Sequence, residues 1–209
     1  MFARMPKKRT IGTLAMAAFG LVWLAIVGLG QRAMLNYDYI AAPPSAPPAK
    51  WPANSNIPRT AGLPTIVLMA HPRCPCTRAT IEELALLMTR VHGQARAAVV
   101  FVRPPGVPED WEKTDLWRSA RRIPGVTVIS DTDGLEAARF GAQASGQTLF
   151  YSASGDLQFS GGITASRGHS GDNLGRSSLV ALVTTGESAT NHTSVYGCSL
   201  QNPERAGAQ

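Results

Sequence analysis

Residues 11–29, IGTLAMAAFGLVWLAIVGL, form a run without a single charged side chain. Nineteen residues at the helical rise span about 28 Å, close to the roughly 30 Å hydrocarbon core of a bilayer. A run this long and apolar predicts one membrane-crossing helix, and everything after it must be placed relative to that helix. The competing reading is a cleaved secretory signal, whose apolar region is usually about 7–15 residues and ends in a small-residue cleavage pattern. Here the run is longer and continues as GLGQRAMLNY, a poor cleavage site. An uncleaved anchor is therefore the expectation. Arg4, Lys7, Lys8 and Arg9 precede the run, and no acidic residue occurs before Asp38. Basic flanks stay in the cytoplasm, which predicts a single-pass inner-membrane protein with its C-terminal body in the periplasm.

The same residues account for the chain's charge. Lys and Arg number 20 against 14 Asp and Glu, with a pI near 9.7. Five of those bases (Arg4, Lys7, Lys8, Arg9 and Arg32) lie in residues 1–32, so the remainder carries 15 bases against 14 acids. A basic folded body would suggest nucleic acid. This body is near neutral, and nucleic acid is not an expected partner. Three cysteines are too few for a disulfide framework, and an odd number leaves at least one thiol free, shared or metal-bound.

Four segments follow: a cytoplasmic stub and anchor at 1–32, a Pro-rich linker at 33–64, a folded domain at 65–186 and a polar tail at 187–209 that carries Cys198. Seven prolines in the linker cannot sustain a helix or a central strand, so an extended tether is expected. TIVLMA (65–70) is a continuous apolar run suited to a strand buried on both faces. Residues 77–93 carry Ile81, Leu84, Leu87, Met88 and Val91 at helical spacing, with Gly93 as a stop. Further strands are predicted at 97–102 and 126–130, and helices at 108–123, 132–142 and 173–186. A hairpin around Ser-Gly-Asp occupies 147–162. Asp131 and Asp133 are read as caps of the helix that follows them, and the tryptophans as core. Helices alternating with buried strands imply parallel crossovers, closed by an antiparallel hairpin.

The chemistry concentrates at HPRCPCT (71–77), between the first strand's carboxyl end and the first helix of the body. Open α/β sheets place their sites there. Pro75 suits the first helical position, which puts Cys74 at the N-cap and Cys76 in the first turn. Unpaired N–H groups and the positive end of the helix dipole favour a thiolate there, and Arg73 and Arg78 add positive charge. Strand, cysteines, helix and the β-α-β-ββ-α order resemble the thioredoxin fold. More narrowly, HPRCPCTRAT together with GQTLFYSASGDLQFSGGITASRGHSGDN is similar to the bacterial membrane-anchored thioredoxin-like proteins labelled RedB, over about residues 60–200. The resemblance implies an α/β, thioredoxin-like β-α-β-α-β-α-β-β-α domain preceded by one N-terminal transmembrane helix. It also implies thiol–disulfide exchange with a thiol or disulfide protein substrate and no cofactor. The chain departs from the family of thioredoxins in having Cys-x-Cys for Cys-x-x-Cys, with Arg73 in the usual nucleophile's place. Gln147 stands where thioredoxins carry a cis-proline, which counts against substrate binding by backbone pairing.

The expected catalytic set is Cys74 as the more exposed nucleophile, Cys76 as its partner and Cys198 as a third thiol. A Cys74–Cys76 disulfide would close a small strained ring and be readily reduced. One rival is metal handling: His71, Cys74, Cys76 and His169 offer soft ligands suited to Cu(I) or Zn. Another is a redox-inactive, anchored interaction module. The glycine-rich GGITASRGHSGDN (161–173) is expected to border the cysteine site, where Arg167 or His169 would steady a thiolate.

Overall fold

The structure, a computed structural model, describes residues 7–200. The stub at 1–6 and the end of the tail at 201–209 lie outside the described residues. Two compact units meet between Tyr39 and Ile40. The first holds helix α1 (Lys7–Tyr39). Its segment Gly12–Tyr39 is long and apolar enough to cross a membrane, with a mean hydropathy of 2.1. Leu14, Phe19, Trp23, Ile26 and Leu29 are all exposed. Trp23 thus departs from the expectation that the tryptophans are core.

The second unit is built on a five-stranded sheet of β1 (Thr65–Ala70), β2 (Arg96–Arg103), β3 (Val126–Thr132), β4 (Thr148–Tyr151) and β5 (Leu157–Gly161). The order across the sheet is β3-β2-β1-β4-β5. β1 runs parallel to β2 (Val67 opposite Ala98) and antiparallel to β4 (Val67 opposite Leu149). β2 and β3 are parallel, and β4 and β5 form the antiparallel hairpin. The central position of β1 explains its uninterrupted apolar run: all six residues are buried. β3 lies at the edge, and most of it is partly exposed.

Five helices, counting α1, are described; the others are α2 (Pro75–Val91), α3 (Asp115–Arg121), α4 (Leu135–Arg139) and α5 (Leu174–Thr185). One core cluster joins Ile66, Leu68, Val99 and Phe101 of the sheet to Leu84 and Leu87 of α2, Leu116 of α3 and Leu179 of α5. Trp117 packs against it. The opposite face presents Val67, Met69, Val100, Leu149 and Tyr151, and the helix that packs on it among the described residues is the five-residue α4. One turn and a half of helix cannot cover a sheet face, and exposed apolar area costs about 25 cal/mol per Å². The linker and the tail fill the gap.

This corrects the expectation of a free tether. α1 continues to Tyr39, and residues beyond it lie against the sheet. Trp51 packs edge-on to Phe140 and Tyr151, with centroids at 5.1 and 5.2 Å. Ile57 is buried in the same cluster. Tyr151 donates its hydroxyl hydrogen to the Pro48 carbonyl at 3.0 Å. The buried Glu136 carboxylate accepts from the Ser55 hydroxyl at 2.7 Å and the Asn56 N–H at 3.0 Å.

Two helices are shorter than their periodicity predicts. α3 begins at Asp115 rather than near 108, because the preceding residues make tertiary bonds instead: Asp110 takes a φ of 69°, and the Thr114 hydroxyl donates to the Pro72 carbonyl. α4 is bounded by Gly134 and Gly141, both at positive φ, and a Cβ at Gly141 would lie 2.5 Å from the Ala46 carbonyl oxygen. As expected, Asp131 caps α4, its carboxylate accepting from the N–H groups of Glu136 and Ala137. Asp133 sits in the turn before it, at a φ of 59°.

Candidate functional site

β1 ends at Ala70, and the chain turns through His71-Pro72-Arg73 into α2. Cys74 is the N-cap, in extended conformation, with Pro75 at the start of the helix and Cys76 in the first turn. This is the placement read from the sequence. No side chain caps α2, so the helix's first N–H groups and its dipole act on the sulfur of Cys74 without competition from a better acceptor.

Cys198 arrives from the tail. Residues 191–200 form a strap without regular structure, stitched along the sheet through backbone groups. The Ser160 N–H donates to the Asn191 carbonyl at 3.0 Å, the Ser145 N–H to the Cys198 carbonyl at 2.8 Å, and the Leu200 N–H to the Gln143 carbonyl at 3.1 Å. Ala144 and Ser199 form an antiparallel bridge. Gly197 packs so closely on Ser145 that a Cβ would fall 1.8 Å from its carbonyl oxygen. Ser145 in turn holds the motif: its hydroxyl oxygen accepts from the His71 N–H at 2.9 Å and bonds the Thr77 hydroxyl at 2.7 Å.

The three thiols meet, and all are free. Hydrogen bonds from Cys198 and Cys76 hold the Cys74 thiol far below its ordinary value, outweighing its burial. Cys198 is pushed up by its bonds to Cys74 and Cys76 and by burial. At Cys76 the bond to Cys198 pulls down, but the bond to Cys74 and burial prevail and the thiol is raised. These bonds therefore favour the thiolate form at Cys74 and the protonated form at Cys76 and Cys198. The exposure order corrects the expectation for Cys74: it is 1% exposed and Cys76 7%, whereas Cys198 is half-buried. The strap that brings Cys198 here is held largely by main-chain bonds, which composition does not reveal.

The loop 161–173 borders the site as expected. Arg167 lowers the Cys76 thiol electrostatically and donates to the Gly197 carbonyl at 3.0 Å. His169 does not reach the thiols: it is exposed, with Nδ1 2.6 Å from the Arg167 carbonyl oxygen. His71 is buried edge-on to Trp111 at 5.7 Å, and its Nδ1 accepts from the Arg73 N–H. Burial holds its imidazole below the usual value, against the pull of Cys74. Trp111 belongs to this rim rather than to the core, and the Arg73 guanidinium lies 4.6 Å above its ring. Among the described residues, no three His, Cys, Asp or Glu side chains are disposed to hold a metal ion. The set His71, Cys74, Cys76 and His169 is therefore not assembled.

Two features escaped the sequence reading. Gln147 is buried; its carbonyl accepts from the Met69 N–H at 2.9 Å and its amide donates to Ser45. The carbonyl thus continues the strand pairing beside the motif, and the side chain ties down the linker. Glu83 of α2 and Arg176 of α5 form a buried ion pair, joined by the Gly171 N–H and the Asn173 amide. Such pairs cost about 3–5 kcal/mol when one partner is removed. This one anchors the far end of the loop bearing Arg167. Asp172 and Asn173 stand four and three residues before Arg176, but the pairing of Arg176 with Glu83 across 93 residues leaves no local signature.

No family model matches this chain, and no curated protein matches it. Solved structures do. An uncharacterized conserved protein from Geobacillus kaustophilus has a TM-score of 0.56 at 17% identity, covering 79% of this chain and 94% of that one. A hypothetical protein from Sinorhizobium meliloti 1021 has a TM-score of 0.54 at 18% identity, covering 78% and 94%. A looser likeness, with a TM-score of 0.42 at 16% identity over 59% of this chain and 81% of the other, is to a secreted Mycobacterium tuberculosis disulfide oxidoreductase homologous to E. coli DsbE. The α/β sheet, its strand order and the cysteines at the strand–helix junction make the fold thioredoxin-like.

Proposed function

We propose that this chain is a RedB-like, membrane-anchored protein of the periplasmic face that exchanges thiols and disulfides with exported proteins. α1 serves as an uncleaved anchor with its N-terminus in the cytoplasm, in keeping with its length, hydropathy and basic flank. The observation that carries the reading is the convergence of three free thiols on the N-terminus of α2, where hydrogen bonds from Cys198 and Cys76 lower the Cys74 thiol. A thiolate stabilised in the reduced protein makes the reduced form the favoured one, and hence makes the disulfide form an oxidant. Hydrogen bonds from Cys198 and then Cys76 do this work for Cys74, at a helix N-terminus whose dipole has the same sign of effect.

The test uses the reduced full chain in detergent. Thiolate absorbance followed against pH is expected to report one thiolate per chain that persists well below the ordinary thiol range. Equilibration with glutathione and its disulfide is expected to give a reduction potential less negative than roughly −230 mV. Three thiols titrating like free cysteine, with no exchange, would return the chain to an anchored interaction module. A tight one-to-one metal complex lost in both Cys74→Ser and Cys76→Ser would make it a metal carrier instead.

A further inference from the structure

We propose that Cys198 is the sulfur that meets the partner protein and that Cys74 is its internal disulfide partner and leaving group, an assignment that rests on the thiol-exchange reading above. The place nearest the helix start that a Cys-x-x-Cys motif gives to a cysteine holds the exposed Arg73 here, so the sulfur that meets the partner must be another one. Cys74 and Cys76 are both buried, and Cys198 is the one of the three that is partly exposed. A partner sulfur must approach along the axis of the S–S bond it breaks, so an accessible sulfur is attacked before a covered one.

The choice of internal partner follows from the chain's geometry. Cys74 and Cys76 are one residue apart, at the N-cap and in the first turn of α2, so joining them distorts the start of the helix. Cys74 and Cys198 lie on separate segments held together by Ser145, which bonds His71 and Thr77 beside the motif and Cys198 on the strap. The strap has no regular structure to disrupt, and Arg167 holds it at Gly197. A sulfur whose thiolate is strongly stabilised also leaves fastest, which suits Cys74.

In the oxidised chain the sulfurs of Cys74 and Cys198 are bonded. A partner thiolate attacks the Cys198 sulfur; the new sulfur–sulfur bond forms there as the bond to Cys74 breaks. The electron pair departs on Cys74 as a thiolate, which accepts a hydrogen bond from the Cys76 S–H. The partner's second thiol gives its proton to solvent and attacks its own sulfur in the mixed disulfide. Cys198 leaves and takes up a proton. The partner dithiol loses two electrons and becomes a disulfide, and the chain gains both. Transfer in the opposite direction passes through the same mixed disulfide on Cys198.

The experiment oxidises the full chain in detergent with diamide and maps its disulfides after digestion in acid. The oxidised chain is then exposed briefly to reduced glutathione, quenched in acid and mapped again. A Cys74–Cys198 linkage and glutathione attached to Cys198 are expected; Cys76→Ser keeps both, and Cys198→Ser loses both. A Cys74–Cys76 linkage with glutathione on Cys74 overturns this assignment and leaves thiol exchange standing. Neither a disulfide nor an adduct in the native chain overturns both.

Discussion

Three thiols in one site cannot ionise independently, and that has a consequence for stability at the residue scale. Cys74 is held below its ordinary value of 9.0, chiefly by its bond to Cys198. Between the folded and unfolded values the unfolded chain binds the extra proton, so this contribution is lost as pH falls toward the folded value and is complete above 9.0. Cys76 and Cys198 are shifted the other way, so their contribution is whole below 9.0 and is lost as pH rises through their raised values. The site therefore favours folding most near the ordinary thiol value. The melting temperature of the native chain minus that of Cys74→Ser is expected to widen between about pH 6 and about pH 8. Thermal melts in that range decide it, and a difference that stays flat sinks the assignment of the charge to Cys74.

At the scale of elements, the strap is the part on which the site depends and the part least visible in the sequence. Gly197 has an ordinary φ but no room for a Cβ, which would lie 1.8 Å from the Ser145 carbonyl oxygen. Gly197→Ala must push the strap off Ser145 and carry Cys198 away from Cys74. The expected result is a loss of about 1–3 kcal/mol of stability, the range for overpacking a tight contact. A rise in the Cys74 titration toward the ordinary thiol range is expected with it, read by thiolate absorbance. Unchanged titration in a folded Gly197→Ala chain would show that the strap does not set the charge on Cys74. The motif itself was legible because proline at the first helical position and the spacing of Ile81, Leu84 and Leu87 are encoded side chain by side chain. The strap was not, because Cys198, Ser145 and Gln143 meet through N–H and C=O groups that every residue carries. α3 was read too long for a related reason: Glu112 and Thr114 have helix-compatible side chains that are used in tertiary bonds to Ser130 and Pro72.

For the whole molecule, the question is where the folded unit begins. Sequence composition put the boundary near Thr65, since a Pro-rich segment has no helix or strand of its own. The sheet requires otherwise, because β1 and β4 are apolar on both faces and α4 covers little of the second. Trp51 and Ile57 close that face, Leu200 joins them from the strap, and Glu136 and Tyr151 bond the linker in place. Removing a large aromatic from such a cluster costs about 3–5 kcal/mol, and a domain's whole stability is about 5–15 kcal/mol. A chain starting at Ile40 is therefore expected to remain folded, to leave the membrane fraction, and to keep the one-thiolate titration. A chain starting at Thr65 is expected to melt far lower or fail to fold, and Trp51→Ala in the full chain should fall between the two. Denaturant unfolding of the three, with fractionation for the first, tests the point. Equal stability of the chains starting at Ile40 and Thr65 would mean that the second face needs no cover, and that residues 40–64 serve only to connect.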